Sequence, residues 1–204
     1  MSDNRLPPRA LHRIGPRVAV FGPSGAGKTT LSKELSLRLG VPHVELDGIY
    51  HKTGWQSPPD EQFRQEVAAR LAQHADGWVC DGNYGAVRDL VLLQADTVAW
   101  LRPPFRVAYW RLVGRTVRGL VSRKPLWGNV REPWRITFLS RDSILLWGVS
   151  HWRQGLSNTE EALRKVPHHA DVHELRSNKE VAALVARAAT SAATQERTLR
   201  RRHG

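Results

Sequence analysis

Cysteine is almost absent from this chain. Cys80 is the only one among 204 residues, so no disulfide can form within the chain. That suits a reducing compartment, and we expect a cytoplasmic protein. No apolar run is long enough to span a bilayer, so no membrane partner is expected. The opening Met1–Pro8 stretch lacks the apolar core of a signal peptide, and residues 1–16 read as a flexible leader. Internal repeats are missing too. Acidic residues are scarce beside basic ones, 19 against 31, which leaves a formal charge of +12. Such an excess implies arginines gathered around polyphosphate, or a surface for nucleic acid. The placement of the arginines favours a mixture weighted toward the first. At 204 residues with 41% hydrophobic content, the chain suits one domain, alone or carrying an insert.

What is present is concentrated in residues 17–38. An apolar strand, Val18 to Phe21, runs into Gly22, Pro23, Ser24, Gly25, Ala26, Gly27, Lys28, Thr29 and Thr30, a loop of the form G-x-x-x-x-G-K-T. Behind it, Leu31, Leu35 and Leu39 recur every four residues and predict a helix over 29–39. Strand, glycine-rich loop and helix in this order form a phosphate-binding loop. The glycines let successive N–H groups face one anion, and the helix N-terminus adds its dipole. Lys28 is placed to reach the β- and γ-phosphates, and Thr29 to offer its hydroxyl to Mg²⁺. The nine residues Gly22 to Thr30 are therefore the expected nucleotide-binding set. ATP is the expected nucleotide, with GTP left open.

Two carboxylates follow at strand ends. His43 to Asp47 reads as a second strand that delivers Asp47, with Tyr50 close behind, to the edge where α/β sheets bind ligands. Asp47 there would bind a substrate hydroxyl or Mg²⁺, or accept a proton; a plain turn at Asp47-Gly48 is the alternative. Trp78 to Cys80 is an unbroken apolar run, as in a strand buried on both faces, and Asp81 comes next. A carboxylate there suits Mg²⁺ held through water, with a turn again the alternative. Asn83, Tyr84 and Arg88 follow at the same edge. Cys80 reads as a small buried hydrophobe.

The remaining pattern alternates helix and strand: helices over 60–74 and 86–93, a strand over 97–101, and a last strand over 171–175 before a final helix. This predicts a parallel sheet covered on both faces. Residues 105–121 read as a long helix on which Arg111 and Arg115 lie one turn apart and project together. They suit a clamp on a transferring phosphoryl group, or form a solvated basic face. Arg118, Arg123, Arg131 and Arg135 mark an arginine-rich lid over about 115–140, where water exclusion would favour transfer over hydrolysis. Residues 136–152 look helical. His168, His169 and His173 read as ordinary residues more readily than as a metal cluster. Beyond Ala188 the apolar pattern fades, and 187–204 reads as a disordered basic tail able to touch nucleic acid, a role we do not favour.

These motifs resemble the adenylate-kinase-like small P-loop kinases, and most closely the bacterial topology modulation proteins, also termed FlaR-like. The resemblance rests on Gly22–Thr30, Glu45–Trp55, Trp78–Tyr84, Ala95–Leu101 and the segment around Arg111 to Arg115, and spans residues 17–186. It implies a five-stranded parallel sheet flanked by helices, a substrate-binding region over about 40–75, and a lid. It further implies γ-phosphoryl transfer from ATP with Mg²⁺ to a small hydroxyl or phosphate acceptor, such as a nucleoside or nucleotide. Lys28, Asp47, Arg111 and Arg115 would be catalytic. Thr29 and Asp81 would serve the metal, and Asp47, Tyr50, Asn83, Tyr84 and Arg88 the acceptor. Nucleoside monophosphate kinases carry an arginine soon after the strand-three Asp-Gly, whereas Asn83 and Tyr84 follow here and Arg88 is out of register. Asp47 instead resembles the strand-two aspartate of shikimate and gluconate kinases. Two other readings remain: an ATPase or nucleotide-gated switch, and a P-loop protein that binds nucleic acid. Monomer and homodimer are both open.

Overall fold

Three of the sequence's apolar runs become strands buried on both faces, because helices cover each side. The structure, a computed structural model, describes residues 14–51, 58–122, 152–165 and 170–202. Strands β1 (Arg17–Phe21), β2 (His43–Glu45), β3 (Trp78–Asp81), β4 (Thr97–Leu101) and β5 (Asp171–Leu175) form one parallel sheet in the order β2-β3-β1-β4-β5. The described helices are α1 (Lys28–Leu39), α2 (Leu46–Tyr50), α3 (Asp60–Ala72), α4 (Gly85–Gln94), α5 (Phe105–Ser122), α6 (Trp152–Arg164) and α7 (Asn178–Arg202). This is the five-stranded parallel sheet flanked by helices that the family resemblance implies.

The period-2 alternation of strands divides the core into two layers. Ala19, Phe21, Trp78, Cys80, Val98 and Trp100 face α3, α4 and α6, where Phe63, Val67, Leu71, Val87 and Leu163 meet them. Val18, Val20, Val79, Ala99 and Leu101 face α1 and α7, against Leu31, Leu35, Leu184 and Ala188. Fully buried Trp78 and Trp100 anchor the first layer. Burying a large apolar side chain contributes about 1.5–3 kcal/mol, so these layers supply most of the drive to fold. Because β1 lies between β3 and β4, the loop leaving it opens at the sheet's carboxyl edge, beside the end of β3.

Three expectations need correction. The second strand stops at Glu45, and Asp47 lies in the first turn of the short helix α2. Burial of Leu46 and Ile49, three residues apart, favours a helical turn over further extension along the sheet edge. The leader's last residues belong to the fold: Ile14 is buried, its N–H donates to Ser191 Oγ at 3.2 Å, and Pro16 accepts a hydrogen bond from the Trp78 N–H. At the other end, α7 runs on to Arg202 in place of a disordered tail from 187, with Ala188 and Ser191 buried against the sheet. Small residues pack closely there while adding little hydropathy. The helix expected over 136–152 lies outside the described residues except at Trp152, where α6 begins; α6 itself was not predicted.

Candidate active site

The P-loop is shaped by glycines that no other residue can replace. Gly25 has φ +77°, and a Cβ on it would collide with the Ala108 carbonyl of α5. Gly27 at φ +98° is the N-cap of α1 and brings no side-chain cap. The first amides of α1 are thus not capped by that residue, and the loop is lined by backbone. This suits a polyphosphate, whose oxygens take N–H donors and the positive end of the helix. Buried Ala108 and Leu112 of α5 support the loop from behind.

Lys28 opens α1 and donates from Nζ to the Pro23 carbonyl at 3.3 Å, which holds it folded over its own loop. Burial lowers its pKa; Asp47 and Asp81 pull it upward, and Arg115 adds to the depression. Lys28 therefore lies within electrostatic reach of both predicted carboxylates and of Arg115. Thr29 follows it half-buried, and Thr30 is exposed.

Asp81 ends β3 and is buried to 3% exposure. Its Oδ1 lies 3.0 Å from His43 Nε2 on β2, a partner that the sequence reading did not assign. Asp47 Oδ1 accepts a hydrogen bond from Tyr84 Oη at 2.7 Å. Burial raises the Tyr84 pKa, with the Asp47 charge and this hydrogen bond adding to it, so the phenol stays a donor. Tyr84 packs on Tyr50 at 4.7 Å and on Phe63 at 5.2 Å, which fixes its ring. Thr29 and Asp81 are hard oxygen donors, the kind Mg²⁺ takes alongside phosphate oxygens and water. Among the described residues no group of three or more His, Cys, Asp or Glu could hold a metal alone.

The arginines separate. Arg111 donates to the Ala26 carbonyl at 3.5 Å and to Asn178 Oδ1 at 3.0 Å, joining the P-loop to the start of α7. Arg115 is exposed one turn further along α5. Arg88 donates to Asn83 Oδ1 at 3.1 Å and to the Asn158 carbonyl at 3.3 Å, tying α4 to α6. Burial lowers its pKa. Arg118 lies on α5 by its backbone, while Arg123, Arg131 and Arg135 lie outside the described residues, as do His168 and His169. Cys80 is buried and its thiol pKa is raised by that burial, as a packing residue requires.

Two cavities flank the loop. One, of about 90 Å³, is lined by Gly22, Ser24, Lys28 and Asn83 together with Phe105, Tyr109, Leu112, Trp152 and Gly155. The other, of about 260 Å³, lies beyond Ala26 and Arg111, between Pro103, Pro104 and Val107 on one side and Arg176 to Asn178 with Val181 on the other. Sequence reasoning missed the second cavity. One signal was available: Ser177 and Glu180 form a capping box, with Glu180 N–H donating to Ser177 Oγ at 3.3 Å and Ser177 N–H to Glu180 Oε2 at 2.9 Å. That box sets where α7 starts.

No protein-family model matches the chain. A shikimate kinase from Paramagnetospirillum magneticum is 30% identical over 142 residues, which make up 63% of this chain and 70% of that protein. This chain belongs to the family of small-molecule P-loop kinases that includes shikimate kinase. A cytidylate kinase from Nitratidesulfovibrio vulgaris is 32% identical over 53 residues, 26% of this chain and 23% of its own length. Among solved structures, the shikimate kinase from Acinetobacter baumannii in complex with shikimate matches with a TM-score of 0.52 at 18% identity, over 83% of this chain and 89% of that one. That likeness concerns the fold. No described helix of this kinase is long and apolar enough to cross a membrane.

Proposed function

We propose that this kinase moves the γ-phosphoryl group of ATP to a hydroxyl of a small acceptor. The observation that carries the reading is the setting of Lys28. The P-loop lysine, folded onto the Pro23 carbonyl, is within electrostatic reach of the carboxylates Asp47 and Asp81 and of the Arg115 guanidinium. Lys28 would neutralise charge on the β- and γ-phosphates, and Arg115 would take up charge that spreads onto the transferring oxygens. The 260 Å³ cavity next to Ala26 is suited to the nucleoside end of ATP, with Arg111 along its wall.

Asp47 would orient the acceptor. Its carboxylate, held by Tyr84, takes the hydrogen of the acceptor hydroxyl. The hydroxyl oxygen forms a bond to the γ-phosphorus as the bond from phosphorus to the bridging oxygen breaks. ADP leaves with that electron pair, and the hydroxyl proton passes to Asp47. Thr29 and Asp81 are the residues that would hold Mg²⁺, which supplies charge neutralisation across the phosphates when bound. Asp47 and Tyr50, with Asn83 and Tyr84 after β3, would form the acceptor side. Within the family, the segments Glu45–Trp55 and Trp78–Tyr84 support a place beside the topology modulation proteins.

The deciding experiment incubates the full chain with Mg²⁺-ATP and candidate acceptors, and detects product by mass. A phosphorylated acceptor is expected, and Lys28→Ala is expected to lower its formation at least a hundredfold with the fold intact. ADP and inorganic phosphate as the sole products would favour an ATPase or switch.

A further inference from the structure

Two adjacent residues at the exit of β3 go separate ways. Gly82 makes the turn possible: its φ is +146°, and a Cβ on it would collide with the Leu46 side chain. Beyond it, Tyr84 reaches Asp47, whereas Asn83 lines the small cleft in front of the P-loop together with Gly22, Ser24 and Lys28. The neighbours of Asn83 in that cleft are the groups that receive phosphate.

The Asn83 amide is held in one orientation. Arg88 Nη2 donates to Asn83 Oδ1 at 3.1 Å, and Thr159 Oγ1 makes a longer contact with the same oxygen at 3.4 Å. An arginine can only donate, so the amide atom it meets is the oxygen, and the NH2 is the end that remains for a ligand. Arg88 is itself held from α6, because its Nη1 donates to the Asn158 carbonyl at 3.3 Å. Arg88 lines a different cavity, between α4 and α6. The two helices thus clamp one amide at the edge of the phosphate cleft. A buttressed amide loses little freedom on binding, and its N–H groups suit the oxygens of a phosphoryl group, which only accept.

Resting on the phosphotransfer reading above, we propose that Asn83 donates from its side-chain NH2 to an oxygen of the γ-phosphoryl group in transit from ATP to the acceptor, and that Arg88 is the positioning residue that turns the amide toward it. Lys28 meets the phosphoryl group from the P-loop, and Asn83 meets it from the end of β3. Arg88 then acts through Asn83 and not on the acceptor, which departs from the role that the family resemblance gives it.

The test measures, by calorimetry on the full chain, the binding of Mg²⁺-ADP and of the Mg²⁺ complex of the imido analogue of ATP. The two ligands differ at the γ-phosphoryl group. Asn83→Ala is expected to weaken the ATP analogue roughly tenfold, the scale of one hydrogen bond to a charged oxygen, with Mg²⁺-ADP affinity unchanged. Asn83→Asp keeps the shape and puts oxygen where the NH2 stood, and is expected to weaken the analogue further. Arg88→Met is expected to lose part of the same preference for the triphosphate, and Arg88→Lys, which keeps a donor, to recover it. Arg88→Met that weakens both nucleotides alike, or only lowers the melting temperature, would overturn the positioning role. Asn83 variants that bind both nucleotides as the wild type does, or lose both equally, would overturn the inference and leave phosphotransfer standing. A wild-type chain that binds neither nucleotide would overturn both.

Discussion

Tyr84 and Asp47 lie 37 residues apart in sequence, and the phenol of one donates to the carboxylate of the other at 2.7 Å. The bond links the exit of β3 to the helix after β2, and so fixes a carboxylate within electrostatic reach of Lys28. Asp47→Asn keeps the shape and removes the proton acceptor; kcat is expected to fall about 10²–10⁴-fold, the usual contribution of a positioned base. Tyr84→Phe leaves the carboxylate in place and is expected to cost roughly tenfold or less in kcat. Steady-state kinetics on both variants checks the order, and equal losses would place Tyr84 on a par with the base.

Gly25→Ala introduces a methyl group where the Ala108 carbonyl already lies, on a backbone with φ +77°. The left-handed conformation alone costs about 1–2 kcal/mol for an L-residue, before the collision is counted. Loss of nucleotide binding is expected together with a lowered melting temperature. Calorimetry with Mg²⁺-ADP and a thermal melt read the two effects side by side.

Glu45 gives a pH-dependent prediction. Its folded-state pKa is raised, first by burial and then by Asp81, with Asp47 adding further. A carboxyl raised in this way contributes stability that is fully present below its unfolded pKa and is lost as pH rises through the folded value. Glu45→Gln removes the charged form and is expected to raise Tm by about 2 °C near pH 7, on the scale of less than 1 kcal/mol for a chain of this size. The gain should shrink as pH falls below about 4, where the free carboxyl is itself protonated. Melts across that range read the slope.

Ending the chain after Ala186 would leave the layer of Val18, Val20 and Leu101 without Ala188, and Ile14 N–H without Ser191 Oγ. A buried donor left without its partner costs about 1–3 kcal/mol. The truncated chain is expected to melt several degrees lower than the full one. An unchanged melt would return residues beyond 186 to the role of a dispensable tail.

The order in which features became legible follows from physics rather than from length of motif. The P-loop could be read because glycines, lysine and hydroxyl must follow one another along the chain. The parallel strands β1, β3 and β4 could be read because burial on both faces leaves an unbroken apolar run. Asp47 was placed in the right region and on the wrong element, since a strand of three residues and a helix of five are too short to carry a period. The helix α6 escaped because its inward face mixes Leu163 with a buried threonine, Thr159, which satisfies itself by donating to the Gly155 carbonyl at 2.8 Å. The cavity between Pro103 and Val181 escaped for another reason: its walls come from three distant segments, and only the fold brings them together.

The short edge strand β2 divides the molecule by how readily its parts open. β1 is hydrogen-bonded to strands on both sides, whereas β2 contributes three residues and pairs with β3 alone. Few backbone bonds have to break for β2 and α2 to detach, so this corner belongs to the low end of the local stability scale. The P-loop stands on a strand paired on both sides, and Asp47 on the short helix that follows an edge strand. In hydrogen exchange, the amides of residues 43–50 should therefore exchange well before those of residues 17–21, and nucleotide alone should slow the second group far more than the first. On warming, the protein would keep its grip on the phosphate donor after it has lost the means to orient the group that receives it.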